Sequence, residues 1–433
     1  MTNKQRVVVT GMGVVAPNGV GLQEFTQALR QNKSGLRFDS ELKKFGFSCQ
    51  VSGRPPISNE DLWSVIPESH RAAFNSTGIA YGLMAGLEAW RNAGLQVDPP
   101  TRDPDSGIVF GTGVSSVSKT REVAYTIDEG KVRRLRSNTV PQTMSSGVAA
   151  YLSARLHLGN WVSSNSSACA TGTESILLAA RRIQSGQAKR MLAGACSDAG
   201  PYIWGPFDAL RVLNRHHNDR ADEASRPLAS DASGFIPGAG AGALVMESLD
   251  TAKARGARIY GEILGGAVNC GGQINGGTMT APNPQAVQEC IIGAVKDAGV
   301  IPSEIELING HLTATAMDAL EVQNWARALE YDRNTFPVIH SLKSLIGHTI
   351  AAAGAIETVA SLIGLQNQFV FGNANADILH PDVLEWVDKS QIPLKSLSFP
   401  HQTVIKANFG FGDVNACIVI RKNTSDEQKR NHG

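Results

Sequence analysis

No run in this chain approaches the roughly 18 apolar residues that a bilayer-spanning helix requires. Its six cysteines, Cys49, Cys169, Cys196, Cys270, Cys290 and Cys417, form no CxxC pair. That spacing argues against a zinc ribbon and against a disulfide framework, so reduced thiols in a cytoplasmic setting are expected. The net charge is only +1, which leaves no global basic excess for nucleic acid or a membrane surface. The one dense basic run, KVRRLR from Lys131 to Arg136, reads as a solvated face. The first residues, MTNKQRVVVTGMGVV, place a short basic segment before apolar ones, as a signal peptide does. Thr10, Gly11 and Gly13 interrupt that run, and a buried strand entering a turn is the better reading.

What the chain does have is length and glycine. Its 433 residues suffice for two or three domain-sized units, and 44 glycines point to many tight turns and close backbone approaches. Apolar strands alternate with helical patterns throughout. RVVVTGMGVV, SGIVFGTGVSS, RMLAGACSDAG and GAGAGALVMES read as strands. LQEFTQALRQNKSG, with a glycine stop, and TGIAYGLMAGLEAWRNAGL read as helices. A second series starts near Arg258, with IELINGH as a strand and PQAVQECIIGAVKDAG and IAAAGAIETVASLIGLQNQ as helices. The alternation predicts a layered α/β protein with buried sheets. Gly113 and Gly310 each follow a strand, which hints at two similar halves joined around residues 250 to 258.

Cys169 lies in SSACATGTESILLAARR, among small residues and just before an amphipathic helix. A helix amino end favours an anion, so the thiol there is expected to ionise more readily. On this stretch alone, cysteine reads equally well as a core residue. Two histidines sit in glycine-rich turns, His311 in NGHLTAT and His348 in KSLIGHTIAAAGAIE. A histidine at a helix start stays neutral, because the dipole opposes its protonation, and can donate to an oxyanion. Lys343 stands five residues before His348 and Glu357 nine after it. The closing segment NFGFGDVNA carries glycines that can bring backbone amides toward a site.

Taken together, RVVVTGMGVVAPNG, ACATGT, ASRPLASDASGFIPGAGAGALVME, NGHLTAT, KSLIGHTIAAAGAIE and NFGFGDVNA resemble the elongating β-ketoacyl-acyl-carrier-protein synthases, in that family's order over about residues 5 to 422. The resemblance implies a thiolase fold, with two similar βα halves in a five-layer αβαβα sandwich. The halves would be residues 1–255, with the cysteine, and 256–422, with the histidines, followed by a disordered tail at 423–433. It implies that Cys169 accepts the acyl group and that His311 and His348 assist malonyl decarboxylation. Lys343 would set the electrostatics and orient a histidine, with Glu357 behind it. The amides of Cys169 and Phe411 would form the oxyanion hole, with Phe411 also the gate. Thr313 and Thr315 would bind pantetheine, and Val114, Phe235 and Phe409 would line the substrate path. No metal or organic cofactor is implied. The partners would be acyl- and malonyl-loaded acyl carrier protein and a second subunit, either an identical chain or a chain-length partner. Arg71, Arg133, Arg134 and Arg215 are candidates for carrier docking.

The chain departs from the family pattern at Leu312, where glycine is usual after the histidine, and at Asp413, where the closing loop usually has glycine. Ala232, Ser233 and Ala239 replace an arginine, an aspartate and a glutamate. Asp318 and Glu321 sit one residue closer to the histidine than usual. These changes suggest a specialised pathway, with Asp413 stiffening the gate and Leu312 narrowing the space beside His311. A thiolase acting on coenzyme A thioesters is one alternative, but it needs a second cysteine in the last glycine-rich loop. A non-catalytic chain-length partner is the other, but such chains usually lose the nucleophile.

Overall fold

The computed structural model describes residues 4–114 and 116–423. From residue 424 on, the polar tail lies outside them. Ten strands carry the architecture: β1 Val7–Ala16, β2 Ser106–Thr112, β3 Val162–Ser163, β4 Arg190–Ser197, β5 Gly240–Ser248, β6 Gly261–Cys270, β7 Leu307–Asn309, β8 Val338–His340, β9 Thr403–Gly410 and β10 Val414–Arg421. They hydrogen-bond in the order β8-β7-β9-β10-β6-β1-β5-β4-β2-β3, with a short strand Gly19–Val20 beside β1.

The pairing repeats. From β1 outward, β1–β5 and β5–β4 are antiparallel, then β4–β2 and β2–β3 are parallel. From β6 outward, β6–β10 and β10–β9 are antiparallel, then β9–β7 and β7–β8 are parallel. The two series meet where Val7–Val9 pairs with Gly261–Ile263. β2 and β7 hold equivalent places in them and are followed by Gly113 and Gly310.

Five longer helices pack on this sheet: α1 Thr77–Asn92, α2 Thr171–Gln184, α3 Pro284–Ala298, α4 Met317–Leu329 and α5 Ala353–Asn367. α1 packs on β1, β5 and β4, and α3 on β6 and β10. α2 and α5 pack on each other and on strands of both series. Their sequences explain that central position. Every residue of α5 from Ala353 to Leu365 is buried, and all but Glu357, Thr358 and Ser361 of them are apolar or glycine, as suits a helix inside a core. Ile356, Val359, Leu362 and Ile363 lie there at 3% exposure or less, each worth about 1.5–3 kcal/mol of burial. α2 buries Ile176, Leu177, Ala180 and Ile183 on one stripe and ends before Gly186 at φ +73°.

Two sequence expectations shift slightly. The first helix spans Leu22–Arg30 and its stop is not a glycine: Gln31 closes it and Asn32, at φ 52°, turns the chain. The stretch after His348 begins as a 3₁₀ turn, Ile350–Ala352, before α5 starts at Ala353.

The α2–α5 crossing is close because two glycines face it. A methyl group on Gly172 would fall on the backbone nitrogen of Ala355, and one on Gly354 on that of Thr173. The helix that follows Cys169 and the helix that follows His348 are thereby held backbone to backbone. Gly354→Ala should therefore overpack the crossing and lower stability by about 1–3 kcal/mol, read as a lower denaturant midpoint. An unchanged midpoint would mean that the helices part without cost.

Candidate active site

Cys169 occupies a 3₁₀ turn, Ala168–Ala170, directly ahead of α2. Ala168 adopts left-handed φ 48°, a conformation costly for a residue with a side chain. The same strain recurs at Ala314 (φ 61°), Ile350 (φ 52°) and Asp413 (φ 63°). Each lies within three residues of a side chain expected at the site.

The turn brings Cys169 Sγ to 3.1 Å from His348 Nε2. The rings of His348 and His311 meet edge to face, 5.2 Å between centroids, and a nitrogen of each ring and the sulfur lie within 4.8 Å of one another. The amide of Ile350 donates to His348 Nδ1 at 3.2 Å, and Asn408 Nδ2 stands 3.2 Å from His311 Nδ1. A neutral imidazole that accepts at Nδ1 carries its proton on Nε2. The pair therefore presents two N–H donors toward the sulfur. The amides of Phe411 and Cys169 lie close enough to the sulfur to favour its anion. Cysteine and two histidines are also a familiar metal donor set, but a histidine that binds a metal through Nε2 needs its proton on Nδ1.

Two sequence expectations about protonation need correcting. Cys169 is not eased into ionisation: burial pushes its thiol up to about 11, although the Lys343 charge and the Phe411 amide pull the other way. Desolvation outweighs the helix end. The histidines are neutral as expected, but chiefly from burial, with the Lys343 charge next. His348 is pushed down to about 3 and His311 well below its ordinary value.

Behind the histidines lies a buried charge cluster. Lys343 Nζ bonds Glu357 Oε1, and Lys406 Nζ stands 3.0 Å from Glu357 Oε2. All three side chains are at most 2% exposed. The two ammonium groups hold Glu357 below the ordinary carboxylate range against the opposing effect of burial. Asn408 Nδ2 donates to Glu357 Oε2 at 2.9 Å. Lys406 and Asn408 were missed in the sequence. A lysine inside the apolar strand TVIKANFG, two residues from an asparagine and so on its face, was the available signal.

A cavity of about 250 Å³ opens on the sulfur. Of the expected residues, Cys169, His311, His348, Thr313, Thr315, Phe235, Phe409 and Phe411 line it, while Lys343 and Glu357 lie behind its wall. Val114 does not line it: its side chain is 57% exposed at the end of β2. Nor does Leu312 narrow it. That side chain is fully buried in the apolar cluster that holds Trp325 and Ile339, and it is not part of the cavity wall. The loop after His311 is clasped by two carboxylates on α4. Glu321 accepts from the amides of His311 (2.6 Å) and Leu312 (2.7 Å), and Asp318 from those of Thr313 (2.8 Å) and Ala314 (3.1 Å). Burial raises these acids to about 7 and about 6 respectively. Asp413 is bound as well. Its carboxylate accepts from the amides of Gln273 (2.9 Å) and Asn283 (2.8 Å), fastening the closing loop to the segment that carries Thr280–Pro282 of the cavity wall.

Comparison with known proteins agrees with this geometry. Residues 4–252 match the family model "Beta-ketoacyl synthase, N-terminal domain", and residues 260–377 match "Beta-ketoacyl synthase, C-terminal domain". The chain is 31% identical to 3-oxoacyl-[acyl-carrier-protein] synthase 2 of Coxiella burnetii, over 97% of this chain and 99% of that one. Among solved structures it is similar to "AntDE:AntF (apo): type II PKS acyl-carrier protein in complex with its ketosynthase bound to the hexaketide", at TM-score 0.84 and 30% identity, over 97% of this chain and 100% of that chain. It is also similar to "The ishigamide ketosynthase/chain length factor", at TM-score 0.85 and 25% identity, with the same coverage.

The buried thiol makes a direct prediction. Alkylation of Cys169 by iodoacetamide should be slow at neutral pH, climb about tenfold per pH unit, and level off near 11. Lys343→Met should move that midpoint higher, since the lysine charge lowers it. Peptide mass spectrometry of the Cys169 adduct reads both, and a plateau below pH 8 would contradict the burial argument.

Proposed function

The chain belongs to the β-ketoacyl synthase family and is a 3-oxoacyl-acyl-carrier-protein synthase, an acyltransferase; from that premise we propose that it performs a decarboxylative condensation with the growing chain held on Cys169. In the first half-reaction Sγ attacks the acyl thioester of a loaded carrier protein. The acyl–sulfur bond forms on Cys169, and the thiol proton leaves with the released carrier thiol. In the second, malonyl carrier protein loses carbon dioxide, and the electron pair of the broken bond forms a thioester enolate. The enolate carbon attacks the acyl group, Sγ departs and takes up a proton, and the product is a 3-oxoacyl carrier thioester two carbons longer.

The observation that carries this reading is the pair of neutral histidines with Nε2–H groups converging beside the sulfur. Two preorganised donors suit a negative charge developing on a thioester oxygen, in a site from which water is largely excluded. The Phe411 and Cys169 amides suit the oxyanion of the acyl-transfer step. The alternatives fare worse. A thiolase would need a cysteine in the closing loop, whereas Cys417 is fully buried within β10. A chain-length partner would have no use for the Cys169–His348 contact.

The finer assignments follow from the same reading. The repeated strand order and the central α2–α5 pair support two halves, 1–255 and 256–422, in a five-layer αβαβα stack. Acyl- and malonyl-loaded carrier proteins are the partners, and the second subunit is an identical chain or a chain-length partner. For carrier docking, Arg133 and Arg134 are exposed. Arg71 is a poorer candidate than its sequence position suggested, because its guanidinium already donates to the carbonyls of Ile66 and Ser64. Asp413, clamped to two amides where the family usually has glycine, supports a specialised acyl substrate of rigid or unsaturated chain.

Cys169→Ala should abolish acyl-enzyme formation in intact-protein mass spectrometry while leaving slow malonyl decarboxylation. His311→Ala or His348→Ala should each slow that decarboxylation by roughly 10²–10³-fold, the scale for one lost oxyanion donor. An acyl adduct on the Cys169 variant, or parental decarboxylation by a histidine variant, contradicts the assignment. Substrate preference is read by competition between saturated and polyunsaturated acyl carriers of equal length. Equal kcat/KM for both, unchanged by Asp413→Gly, would remove the specialised reading.

A further inference from the structure

Asn408 is fully buried in β9, and each side of its amide faces a charge of fixed sign. Its Oδ1 accepts from Lys406 Nζ, and from Thr173 Oγ1 on α2 at 2.6 Å. Its Nδ2 donates to Glu357 Oε2 at 2.9 Å and stands 3.2 Å from His311 Nδ1. Rotating the amide by half a turn would press its NH₂ group against an ammonium and its oxygen against a carboxylate. Both contacts would become repulsive, at a position that is fully buried. The orientation is therefore dictated by charge. With one Nδ2 hydrogen directed to Glu357, the other is available only to His311 Nδ1. Nδ1 must then be an acceptor, and the imidazole proton must sit on Nε2.

We propose that Lys406 and Asn408 are positioning residues that lock His311 in its Nε2–H tautomer, Lys406 by fixing the amide and Asn408 by occupying Nδ1. The two site histidines are thus set by different means. His348 takes its tautomer from a main-chain amide, that of Ile350, which no substitution other than proline removes. His311 takes its tautomer from a side-chain relay that begins at a buried lysine. That difference gives the molecule an internal control. The kinetic part of the inference rests on the condensation reading above; the tautomer part does not.

The test combines nuclear magnetic resonance and half-reaction kinetics on the full chain. In protein labelled with ¹⁵N-histidine, long-range ¹H–¹⁵N correlations distinguish Nε2–H from Nδ1–H, and His311→Gln assigns the His311 signals. The parent should show Nε2–H at both His311 and His348. Asn408→Leu, similar in size but without a donor, should give His311 a mixed or Nδ1–H pattern and leave His348 unchanged. Malonyl carrier decarboxylation should fall by about 10- to 100-fold, short of the roughly 10²–10³-fold for losing a donor outright, while acyl transfer to Cys169 stays within about threefold. Lys406→Met should act in the same direction, and the double variant should be no worse than Asn408→Leu, because the lysine acts through the amide. Should Asn408→Leu fail to fold by its melting curve, Asn408→Ser, whose hydroxyl still donates, is held to the same criteria with an intermediate loss. An Nδ1–H pattern at His311 in the parent, a parental pattern in the Asn408 variant, equal loss of both half-reactions, or additive losses in the double variant would each overturn the proposal. A parent that does not decarboxylate malonyl carrier protein would instead sink the condensation reading, and the tautomer result would still decide this one.

Discussion

A single carboxylate, that of Glu357, holds this site together. Two lysines and an asparagine converge on it from two other elements, the turn of helix at Lys343 and strand β9, and none of these side chains reaches solvent. Removing the carboxylate from such an interior would leave two buried ammonium groups uncompensated, at a cost of about 3–5 kcal/mol. The cluster is therefore both a structural joint and an electrostatic source. With two ammonium groups to one carboxylate it is net positive. Its Lys343 charge adds to burial in keeping both histidines neutral, and offsets part of the burial penalty on the Cys169 thiol. A site poised to receive negative charge is what acyl transfer and enolate formation both require.

Around that joint the backbone is bent into unfavourable shapes and held there. Ala168, Ala314, Ile350 and Asp413 all lie in the left-handed region, and the surroundings keep each in place. Thr171 Oγ1 donates to the Ala168 carbonyl and accepts from the Ser167 amide. The Asp318 and Glu321 carboxylates take the amides of the His311 loop, and Asp413 takes two amides of the neighbouring segment. Reactive groups are thus fixed by polar contacts to the main chain, while apolar packing supplies the platform on which α2 and α5 cross.

The chain-level plan and the three side chains that meet at the cavity were readable before the fold because their signals are local. Cys169 before a helix, His311 and His348 in glycine turns, and the βα alternation each need only a short window. What escaped depended on distance in space. Lys406 stands out in sequence only as a lysine in an apolar strand, and its partner Glu357, 49 residues away, is set beside it by the fold. The thiol was misjudged because a helix end is visible in sequence and complete burial is not. Leu312 was expected to crowd His311, but its side chain is buried in the core and does not line the cavity, which adjacency in sequence does not reveal. Val114 was matched by position in a motif, yet its side chain faces outward.

The strand order also bears on how the chain can be made. β9 and β10, residues 403–421, fill the middle of the second series, between β7 and β6. On a ribosome they emerge after every strand they join. Until then β6 and β7 each present an unpaired apolar edge, and Glu357 has neither Lys406 nor Asn408 beside it. A nascent chain lacking its last strands is thus open along the line where it is stickiest. Cys169 is present early in such a chain, whereas the cluster around Glu357 is completed only once residues 406 and 408 have emerged.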